Sequence, residues 1–400
     1  MSRDWQERLS PYAKRAGGAE TRAFLRMVGQ PGLISFAGGI PDPALFPAAL
    51  IADVHRRVLE DPKSAAAGLQ YSQSEGYAPL REWIAAHMRG KGVACGIENI
   101  LITNGSQQGL YLAGRLLLGE GDVVLTERPT YLGLLHALAG NLPKYGPLSA
   151  LIGLAQVDAK LAYVMPDFAN PTGNSFSFQE RQEVLAGAVK HDVVLLEDGA
   201  YTDLRYSGAP KPSLLALDCK SGGIEESRVI YCGTFSKTII PGLRAGWVVA
   251  ASQVIEKLGL LKQASDFHTA ALTQMVLTDV AQRLPQSHLA GLCETYGARL
   301  QAMLEGLAAS MPQGVSWTKP EGGMFVWATL PEGMDASELL KDALAAGVAF
   351  VPGEAFFPDN KLKNTLRLNF TAASPAPIRE GLARLGALIS KHTSNVVIPV

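Results

Sequence analysis

Short apolar runs alternate with longer segments of helical periodicity along most of the first 290 residues. Each run is apolar at consecutive positions, so the strand that it predicts would be covered on both faces. Such strands are typical of a mostly parallel sheet with helices packed on either side. The runs are Ile100–Thr103, Asp122–Leu125, Leu161–Val164, Val193–Leu196, Arg228–Tyr231 and Trp247–Ala250. The pattern therefore predicts an α/β fold.

Helix signals lie between and after these runs. Ser177 and Glu180 have the spacing of a capping box, which predicts a helix over residues 181–190. Near the end of the chain, Pro375 opens a segment whose apolar residues recur at helical spacing. These apolar residues are Ile378, Leu382, Leu385 and Ile389. We expect both helices to be structural.

The pattern changes beyond about residue 290, where a long helix precedes short apolar strands separated by another helix. The strands are predicted at Met324–Trp327, Ala349–Val351 and Thr365–Phe370. This alternation is typical of a smaller α+β domain built on a short sheet. We therefore predict a large domain over residues 46–289 and a small domain over residues 290–400. Residues 1–45 would form an N-terminal arm associated with the small domain.

Composition and charge exclude several classes of protein. The 400 residues carry a formal net charge of −1, and the basic residues are scattered, which argues against a nucleic-acid-binding protein. The start of the chain lacks the apolar core of a signal peptide, and no run reaches the roughly 18 apolar residues of a membrane span. The four cysteines are widely spaced and match no metal-binding pattern. We expect reduced thiols, no metal site and a cytoplasmic location.

Four stretches with unusual residue choices each follow a predicted strand closely. They are NGSQQG (104–109), NPTG (170–173), EDGAY (197–201) and GTFSK (233–237). In a mostly parallel sheet these positions are the carboxyl ends of strands, where α/β proteins build their binding crevices. The sequence therefore predicts that the four loops meet at one site.

Three residues in these loops indicate which kind of ligand the site would bind. Lys237 follows a buried strand, where a charged and unpaired amine is costly, and a neutral lysine is a nucleophile that forms a Schiff base with an aldehyde. Asp198 needs a cationic partner, which could be an arginine in a structural ion pair or a protonated ring nitrogen. Ser106 stands at a helix start, either as a simple N-cap or as part of a phosphate site. Together the three residues describe a site for pyridoxal 5'-phosphate (PLP).

The sequence resembles the fold type I PLP-dependent aminotransferases of class I/II, in the branch with the 2-aminoadipate and kynurenine aminotransferases. The resemblance extends over nearly the whole chain in the order of that family. Besides the four loops, it rests on SFAGGIPDPALFP (35–47), QYSQSEGYAPLR (70–81), ERPTYLG (127–133), GLRAG (242–246), KPEGGMFVW (319–327), FVPGEAFF (350–357) and NTLRLNF (364–370). It implies a large domain with a mostly parallel sheet of the seven-stranded type between helices, and a smaller α+β domain.

The resemblance implies a role for each site residue. Lys237 would bind the cofactor covalently and later move the proton, and Asp198 would pair with the pyridine nitrogen. Asn170 and Tyr201 would hydrogen-bond the phenolic oxygen of the ring, and Tyr131 would stack on its face. The residues expected around the phosphate are Ser106, Gln107, Thr234, Ser236 and Arg244, with Tyr71 reaching it from the neighbouring subunit of a homodimer.

The resemblance also implies how substrates bind. Arg367 would hold the substrate α-carboxylate as a bidentate fork, and Gly39 would add a backbone contact to the same group. Without the resemblance, Arg367 could equally be a surface arginine on a half-exposed strand. Arg22 matches by spacing an arginine that contacts a distal carboxylate, although an arginine on such an amphipathic helix is also commonly solvated. We therefore expect broad specificity, covering 2-aminoadipate, glutamate, aromatic and aliphatic donors with acceptors such as 2-oxoglutarate.

Two other functions fit parts of the same pattern. A PLP-sensing regulator would carry a DNA-binding winged helix ahead of the aminotransferase-like domain, and only about thirty residues precede SFAGG (35–39). A β-lyase or decarboxylase would keep the fold and the covalent lysine but catalyse another reaction. We expect a ping-pong aminotransferase that binds amino acids and 2-oxo acids.

Overall fold

The structure is a computed structural model that describes residues 5–10, 13–14, 27, 30–153, 155–359 and 361–395. Its strands are β1 (Ile34–Ser35), β2 (Ile100–Thr103), β3 (Val123–Thr126), β4 (Lys144–Pro147), β5 (Leu161–Val164), β6 (Val194–Asp198), β7 (Val229–Thr234), β8 (Gly246–Val249), β9 (Ser316–Trp317), β10 (Phe325–Thr329), β11 (Val348–Ala349), β12 (Val351–Pro352) and β13 (Thr365–Asn369). The predicted strand positions are confirmed to within a few residues.

The helices pack around these strands. They are α1 (Ala48–Glu60), α2 (Pro62–Gly68), α3 (Ala78–Gly90), α4 (Ser106–Leu117), α5 (Leu132–Leu138), α6 (Phe178–His191), α7 (Leu214–Gly222), α8 (Ser252–Asp266), α9 (Ala271–Arg283), α10 (Gln286–Ser310), α11 (Ala336–Ala345) and α12 (Pro375–Asn395). Short 3-10 turns lie at Gln6–Arg8, Pro43–Leu45, Ile97–Asn99, Ala139–Asn141, Leu148–Ile152 and Gly353–Phe356. Within the described ranges, no helix combines the length and the apolar character needed to cross a membrane.

The central sheet has the strand order β2-β8-β7-β6-β5-β3-β4. Its pairs are parallel from β4 through β7, while β8 runs antiparallel to both β7 and β2. This confirms the predicted α/β fold with a mostly parallel sheet. Because β2 lies antiparallel to β8, its carboxyl end returns to the same edge as those of β5, β6 and β7. The loops after β2, β5, β6 and β7 therefore lie at one edge of the sheet.

Strand β7 shows why the runs are apolar at every position. Ile230 and Cys232 pack in one hydrophobic core, whereas Val229 and Tyr231 pack in a second core on the other face of the sheet. All four are buried because successive side chains of a strand point to opposite faces. Strand β4 was not predicted, since its residues KYGP are partly exposed at the sheet edge and carry no continuous apolar signal.

The capping box is confirmed, and the helix it opens is longer than predicted. Ser177 Oγ accepts a hydrogen bond from the Glu180 amide at 3.1 Å, and Glu180 Oε2 accepts one from the Ser177 amide at 2.7 Å. Helix α6 therefore begins at Phe178, directly after the capping residue. In α12, the predicted apolar face is confirmed, since Ile378, Leu382, Leu385 and Ile389 are at most 1% exposed.

A smaller sheet carries the second group of site residues. Its order is β12-β13-β10-β9, with antiparallel pairing throughout. Arg367 on β13 lies opposite Trp327 on β10 and Val351 on β12. Strand β1 pairs in parallel with β11, which joins the segment before residue 36 to this part of the fold. The domain limits at residues 45 and 289 stay a prediction.

Candidate active site

One cavity of about 440 Å³ opens where the four loops meet. Its walls come from the edge of the central sheet and from the residues after β1 and on β10 and β13. The predicted site residues that line it are Gly39, Ser106, Gln107, Tyr131, Asn170, Asp198, Tyr201, Thr234, Ser236, Lys237, Arg244 and Arg367. Two predicted residues are not among them. Tyr71 lies elsewhere on this chain, and Arg22 lies outside the described residues.

Lys237 follows β7 and points its amine into the cavity. Its Nζ donates a hydrogen bond to the Gly39 carbonyl oxygen at 2.9 Å and lies 5.8 Å from the centre of the Tyr201 ring. Burial lowers the pKa of Lys237 to about 8, and the positive charges of Arg367 and Arg244 act in the same direction. The neutral form, which a nucleophile requires, is therefore far more populated near pH 7 than in an ordinary lysine.

Asp198 ends strand β6 and is 2% exposed. Its Oδ2 accepts a hydrogen bond from the Tyr163 hydroxyl at 2.9 Å, and its Oδ1 accepts one from the Ala200 amide at 3.2 Å. Burial raises the pKa of Asp198 to about 6, which the two hydrogen bonds and Lys237 only partly offset. No salt bridge joins Asp198 to an arginine in the described part of the chain. The alternative in which Asp198 forms a structural ion pair with an arginine is therefore wrong.

The end of the cavity where α4 begins combines amides, hydroxyls and a guanidinium group. Ser106 is the first residue of α4, and Gly105 before it has φ +82°. This backbone angle favours glycine, and a Cβ here would also displace the end of the Arg244 side chain, whose Nη2 would lie 2.5 Å away. The Thr234 hydroxyl donates to Ser236 Oγ at 2.9 Å. Free amides at a helix start with hydroxyls and a cation nearby suit a phosphate.

The ring walls are held by their own hydrogen bonds. The Tyr131 hydroxyl donates to Gln107 Oε1 at 3.3 Å, and Gln107 Nε2 donates to the Gly133 carbonyl oxygen at 2.6 Å. Burial, helped by the negative charge of Asp198, raises the pKa of Tyr131 to about 12, so its ring stays neutral. Burial also raises the pKa of Tyr201, which is hydrogen-bonded to Asn170. Both phenols are therefore hydrogen-bond groups and not anions.

Arg367 lies at the opposite end of the cavity and is 7% exposed. Its Nη1 donates to Asn170 Oδ1 at 2.9 Å and its Nη2 to the Ala37 carbonyl oxygen at 3.1 Å. The guanidinium lies 4.2 Å from the centre of the Phe325 ring and 5.1 Å from that of Phe356. Burial lowers the pKa of Arg367 to about 10, so it remains charged at neutral pH. The surface-arginine interpretation is therefore wrong.

The guanidinium of Arg367 has capacity left for a ligand. Its Nε is buried without a hydrogen-bond partner, and no carboxylate forms a salt bridge with Arg367 among the residues that the structure describes. A buried cation is costly unless it is paired, and its hydrogen-bonding groups are normally satisfied. This end of the cavity can therefore bind the carboxylate of a ligand.

The apolar walls and the support behind Asp198 were not predicted from the sequence. The apolar walls of the cavity include Ile40, Leu132, Phe325 and Phe356, and the last two lie against the Arg367 guanidinium. The segments that contain these residues have the composition of an ordinary hydrophobic core. The apolar pattern therefore predicts no role for them in a binding site. Tyr163 was assigned to a strand without a role. The sequence feature that could have indicated a role is a hydroxyl-bearing residue within the apolar run Leu161–Val164. In the structure this tyrosine is 0% exposed.

Tyr71 is 78% exposed and does not line the cavity of its own chain. Its ring contacts Phe267 at 5.6 Å and His268 at 5.9 Å between ring centres. Phe267 is itself 48% exposed. Exposed aromatic clusters of this kind commonly mark interaction surfaces. We call these three residues the aromatic patch.

The donor set of the cavity fits PLP. Lys237 supplies an amine for the aldehyde, and the buried Asp198 carboxylate has neutral donors but no arginine, which suits a protonated ring nitrogen. The hydroxyls of Thr234 and Ser236 lie with Ser106 and Arg244 around the same cavity. These groups match the three polar ends of the molecule.

Comparisons with known proteins give the family. The model of the family described as aminotransferase class I and II matches residues 47–141 and 164–385. The chain is 40% identical to aromatic-amino-acid aminotransferase 1 of Thermococcus litoralis, over 97% of this chain and 95% of that protein. It is 38% identical to 2-aminoadipate transaminase of Thermus thermophilus, over 96% of each chain.

A solved structure shows the same arrangement. The α-aminoadipate aminotransferase of Thermus thermophilus, complexed with N-(5'-phosphopyridoxyl)-L-leucine, superposes with a TM-score of 0.90. It is 36% identical, and the match covers 98% of this chain and 100% of that one. Because the family model, the sequence relatives and the solved structure agree over nearly the whole chain, this protein belongs to the class I and II aminotransferases and is a PLP-dependent enzyme.

Proposed function

We propose that this aminotransferase moves the amino group of an L-amino acid to a 2-oxo acid such as 2-oxoglutarate, and that it accepts aromatic, aliphatic and acidic donors. One observation carries the proposal. A buried amine with a lowered pKa and a buried guanidinium with spare hydrogen-bonding capacity open into the same cavity. The guanidinium would bind the carboxylate of an α-amino acid, and the lysine amine would hold the aldehyde that takes up its amino group.

The residues divide the work of the reaction. PLP, when bound, supplies the aldehyde that takes up the amino group and a ring that accommodates negative charge from the α-carbon. Lys237 holds the aldehyde at rest and, once free, moves a proton with its Nζ. Asp198 keeps the proton on the ring nitrogen, and the Tyr163 hydroxyl holds Oδ2 of that carboxylate in place.

Other residues orient the two molecules. Arg367 would hold the substrate α-carboxylate with its guanidinium group, with the Gly39 amide beside it. Ser106, Thr234, Ser236 and Arg244 would bind the phosphate. Asn170 and Tyr201 would donate to the phenolic oxygen, and Tyr131 would cover the ring with Gln107 fixing its hydroxyl. The reactive groups would then meet in a fixed orientation, which lowers the entropic part of the barrier.

The cavity walls support a broad choice of donors. Ile40, Leu132 and Phe356 present apolar surface to the same cavity as Arg367, which suits aromatic and aliphatic side chains. The relatives named above act on aromatic amino acids and on 2-aminoadipate. For acidic donors we keep the expectation that Arg22 contacts the distal carboxylate. Arg22→Ala should lower kcat/KM for glutamate and 2-aminoadipate and spare phenylalanine, while equal losses for all donors would contradict that role.

We include a homodimer in the proposal, with Tyr71 of one subunit reaching the phosphate site of the other. The exposed aromatic patch of Tyr71, Phe267 and His268 supports it, because such a surface is costly to leave in water. The four free thiols are consistent with a reducing, cytoplasmic location. Sedimentation of the purified holoenzyme tests the dimer directly.

A spectroscopic experiment tests the reaction. The purified protein with PLP should absorb in the visible, bleach on addition of glutamate or phenylalanine, and recover its colour with 2-oxoglutarate. Borohydride should attach the cofactor irreversibly to Lys237. A regulator would bind PLP without turnover, and a lyase would release pyruvate or ammonia without a second oxo acid. Either result would overturn the proposed aminotransferase function.

A further inference from the structure

An ion pair next to the loop that opens α4 joins a fully buried lysine to an aspartate whose side chain is 25% exposed, and neither member lines the cavity. Lys262 on α8 is 0% exposed, and its Nζ donates to both oxygens of Asp266, at 2.8 and 2.9 Å. Nζ also donates to Gln108 Oε1 at 3.0 Å. A fully buried lysine is rare because its charge must leave water. The proposed mechanism uses neither member of this pair.

The hydrogen bonds of the pair lead to one residue of the phosphate loop. Asp266 Oδ2 accepts from the side-chain amide of Asn104 and from Gln108 Nε2, the latter at 2.6 Å. Gln108 Oε1, which binds Lys262, also accepts from the backbone amide of Asn104 at 2.8 Å. Asn104 directly precedes Gly105 and Ser106, the residues that open α4 at the cavity.

The same residue is held from the cavity side as well. Arg244 Nη2 donates to the Asn104 carbonyl oxygen at 3.4 Å. The amide, the carbonyl and the side chain of Asn104 are therefore all engaged, the first and last of them by partners of Lys262. Gly105, next in the chain, has the least restricted backbone of all residues, so the loop direction depends on how Asn104 is fixed. The position of the Ser106 amide and hydroxyl follows from that direction.

Stability alone does not account for an ion pair at this place. Burying the Lys262 ammonium carries a desolvation cost that pairing with the partly exposed Asp266 need not repay, whereas directional hydrogen bonds fix a single geometry. We propose that Lys262 and Asp266 are positioning residues, which hold Asn104 so that Ser106 faces the phosphate of the cofactor. This inference rests on the proposed function, because it assigns the phosphate of PLP to the Ser106 end of the cavity.

The test compares two aldehydes that differ only in the phosphate. The cofactor-free protein is titrated with PLP and with pyridoxal, which has the same ring and aldehyde, and attachment is followed by visible absorbance. Lys262→Met and Asp266→Asn should each weaken PLP binding about 10- to 100-fold, the loss typical when the support of a binding group is removed. Binding of pyridoxal should change by less than about threefold, since the amine and the ring partners are untouched.

Two further variants serve as controls. Lys257→Met makes the same substitution at an exposed position of the same helix and should leave both affinities unchanged. The double variant Lys262→Met/Asp266→Leu replaces the pair by apolar side chains and avoids leaving one charge unpaired. It should fold with a melting temperature near that of the wild type and still bind PLP weakly, a combination that a merely structural role does not produce. If a single variant fails to fold, the PLP and pyridoxal affinities of this double variant decide the test.

The outcomes distinguish the positioning role from the proposed function. Variants that lose affinity for PLP and pyridoxal equally, or for neither, overturn the positioning role while the proposed function stands. A wild-type protein that attaches neither aldehyde overturns the proposed function, and this inference falls with it. A loss confined to PLP supports both.

Discussion

The phosphate end and the carboxylate end of the cavity are built in different ways. At the phosphate end, Gly105 has a backbone angle that favours glycine, and Asn104 is bound through its amide, carbonyl and side chain. At the carboxylate end, Arg367 lies between two aromatic rings and keeps an Nε without a partner. The first end presents hydroxyls and amides on a loop that hydrogen bonds fix, whereas the second presents one hydrogen-bonded guanidinium group beside apolar walls.

This difference means that one end of the cavity would fix the reacting groups and the other would select the substrate. A cofactor held by fixed donors brings the same reactive atoms to Lys237 with every substrate. A carboxylate site with apolar walls recognises what all amino acids share and leaves the side chain to van der Waals contact, which discriminates weakly. We therefore expect substitutions at the two ends to change different measured quantities.

The largest effect should come from Lys237, which serves both ends. Lys237→Ala removes the amine that attaches the cofactor and moves the proton, so kcat should fall by about 10⁴-fold or more. Steady-state transamination of phenylalanine and 2-oxoglutarate measures it, with the exposed Lys257→Ala as the control. Activity above about one per cent of wild type would mean that another group moves the proton.

Arg367→Gln should affect substrate binding more than cofactor binding. Removing the buried cation should lower kcat/KM for amino acids by about 10²- to 10³-fold, because a charge-assisted pair to the substrate carboxylate is lost. The affinity for PLP should fall less than kcat/KM, because Arg367 would act on the cofactor only indirectly, through Asn170 and through its charge near Lys237. The exposed Arg379→Gln should leave both unchanged. An equal loss for amines that lack a carboxylate would contradict the assigned role.

Phe356→Leu should alter substrate preference more than rate. The smaller side chain enlarges the apolar wall beside Arg367, so the ratio of kcat/KM for phenylalanine over alanine should shift by about three- to tenfold. Phe357→Leu is the matched control, because Phe357 is also buried but does not line the cavity. Identical shifts in the two variants would show that loop packing, and not the wall, sets the preference.

The smallest effect concerns pH. With a pKa of about 8, the neutral fraction of the Lys237 amine in the cofactor-free protein rises about fivefold between pH 7 and pH 8. The rate at which PLP attaches should rise by the same factor, because only the neutral amine attacks the aldehyde. Stopped-flow absorbance measures it. A rate that is constant over this interval would place the pKa of Lys237 outside it.

Polar residues that directly follow apolar strands were the most predictable part of the molecule. Asp198 and Lys237 stand at or just beyond the ends of β6 and β7, so the strand pattern located both on one sheet edge before any contact was known. The α/β fold, the family and the cofactor are confirmed. The roles of individual site residues, the domain limits, the homodimer and the cytoplasmic location remain predictions.

The features that were missed depend on contacts between distant parts of the chain. Lys262 lies 154 residues from Gln108, and its segment of α8 has the alternation of an ordinary surface helix, so nothing local indicates burial. Ile40 and Phe356 come from separate segments and meet only at the cavity wall. The edge strand β4 contains glycine and proline, which mask its pairing with β3. Such features follow from tertiary packing and not from local pattern.

The two-sided packing of β7 has a consequence for the reactive lysine. A shift of this strand by one residue would exchange the contents of both cores at once, placing Tyr231 where Ile230 now fits. The chain leading into Lys237 is therefore locked along its length by the helix layers above and below it. Conservative substitutions in either core should therefore leave the position of the Lys237 amine unchanged. The core sequence can then vary while the reaction stays the same.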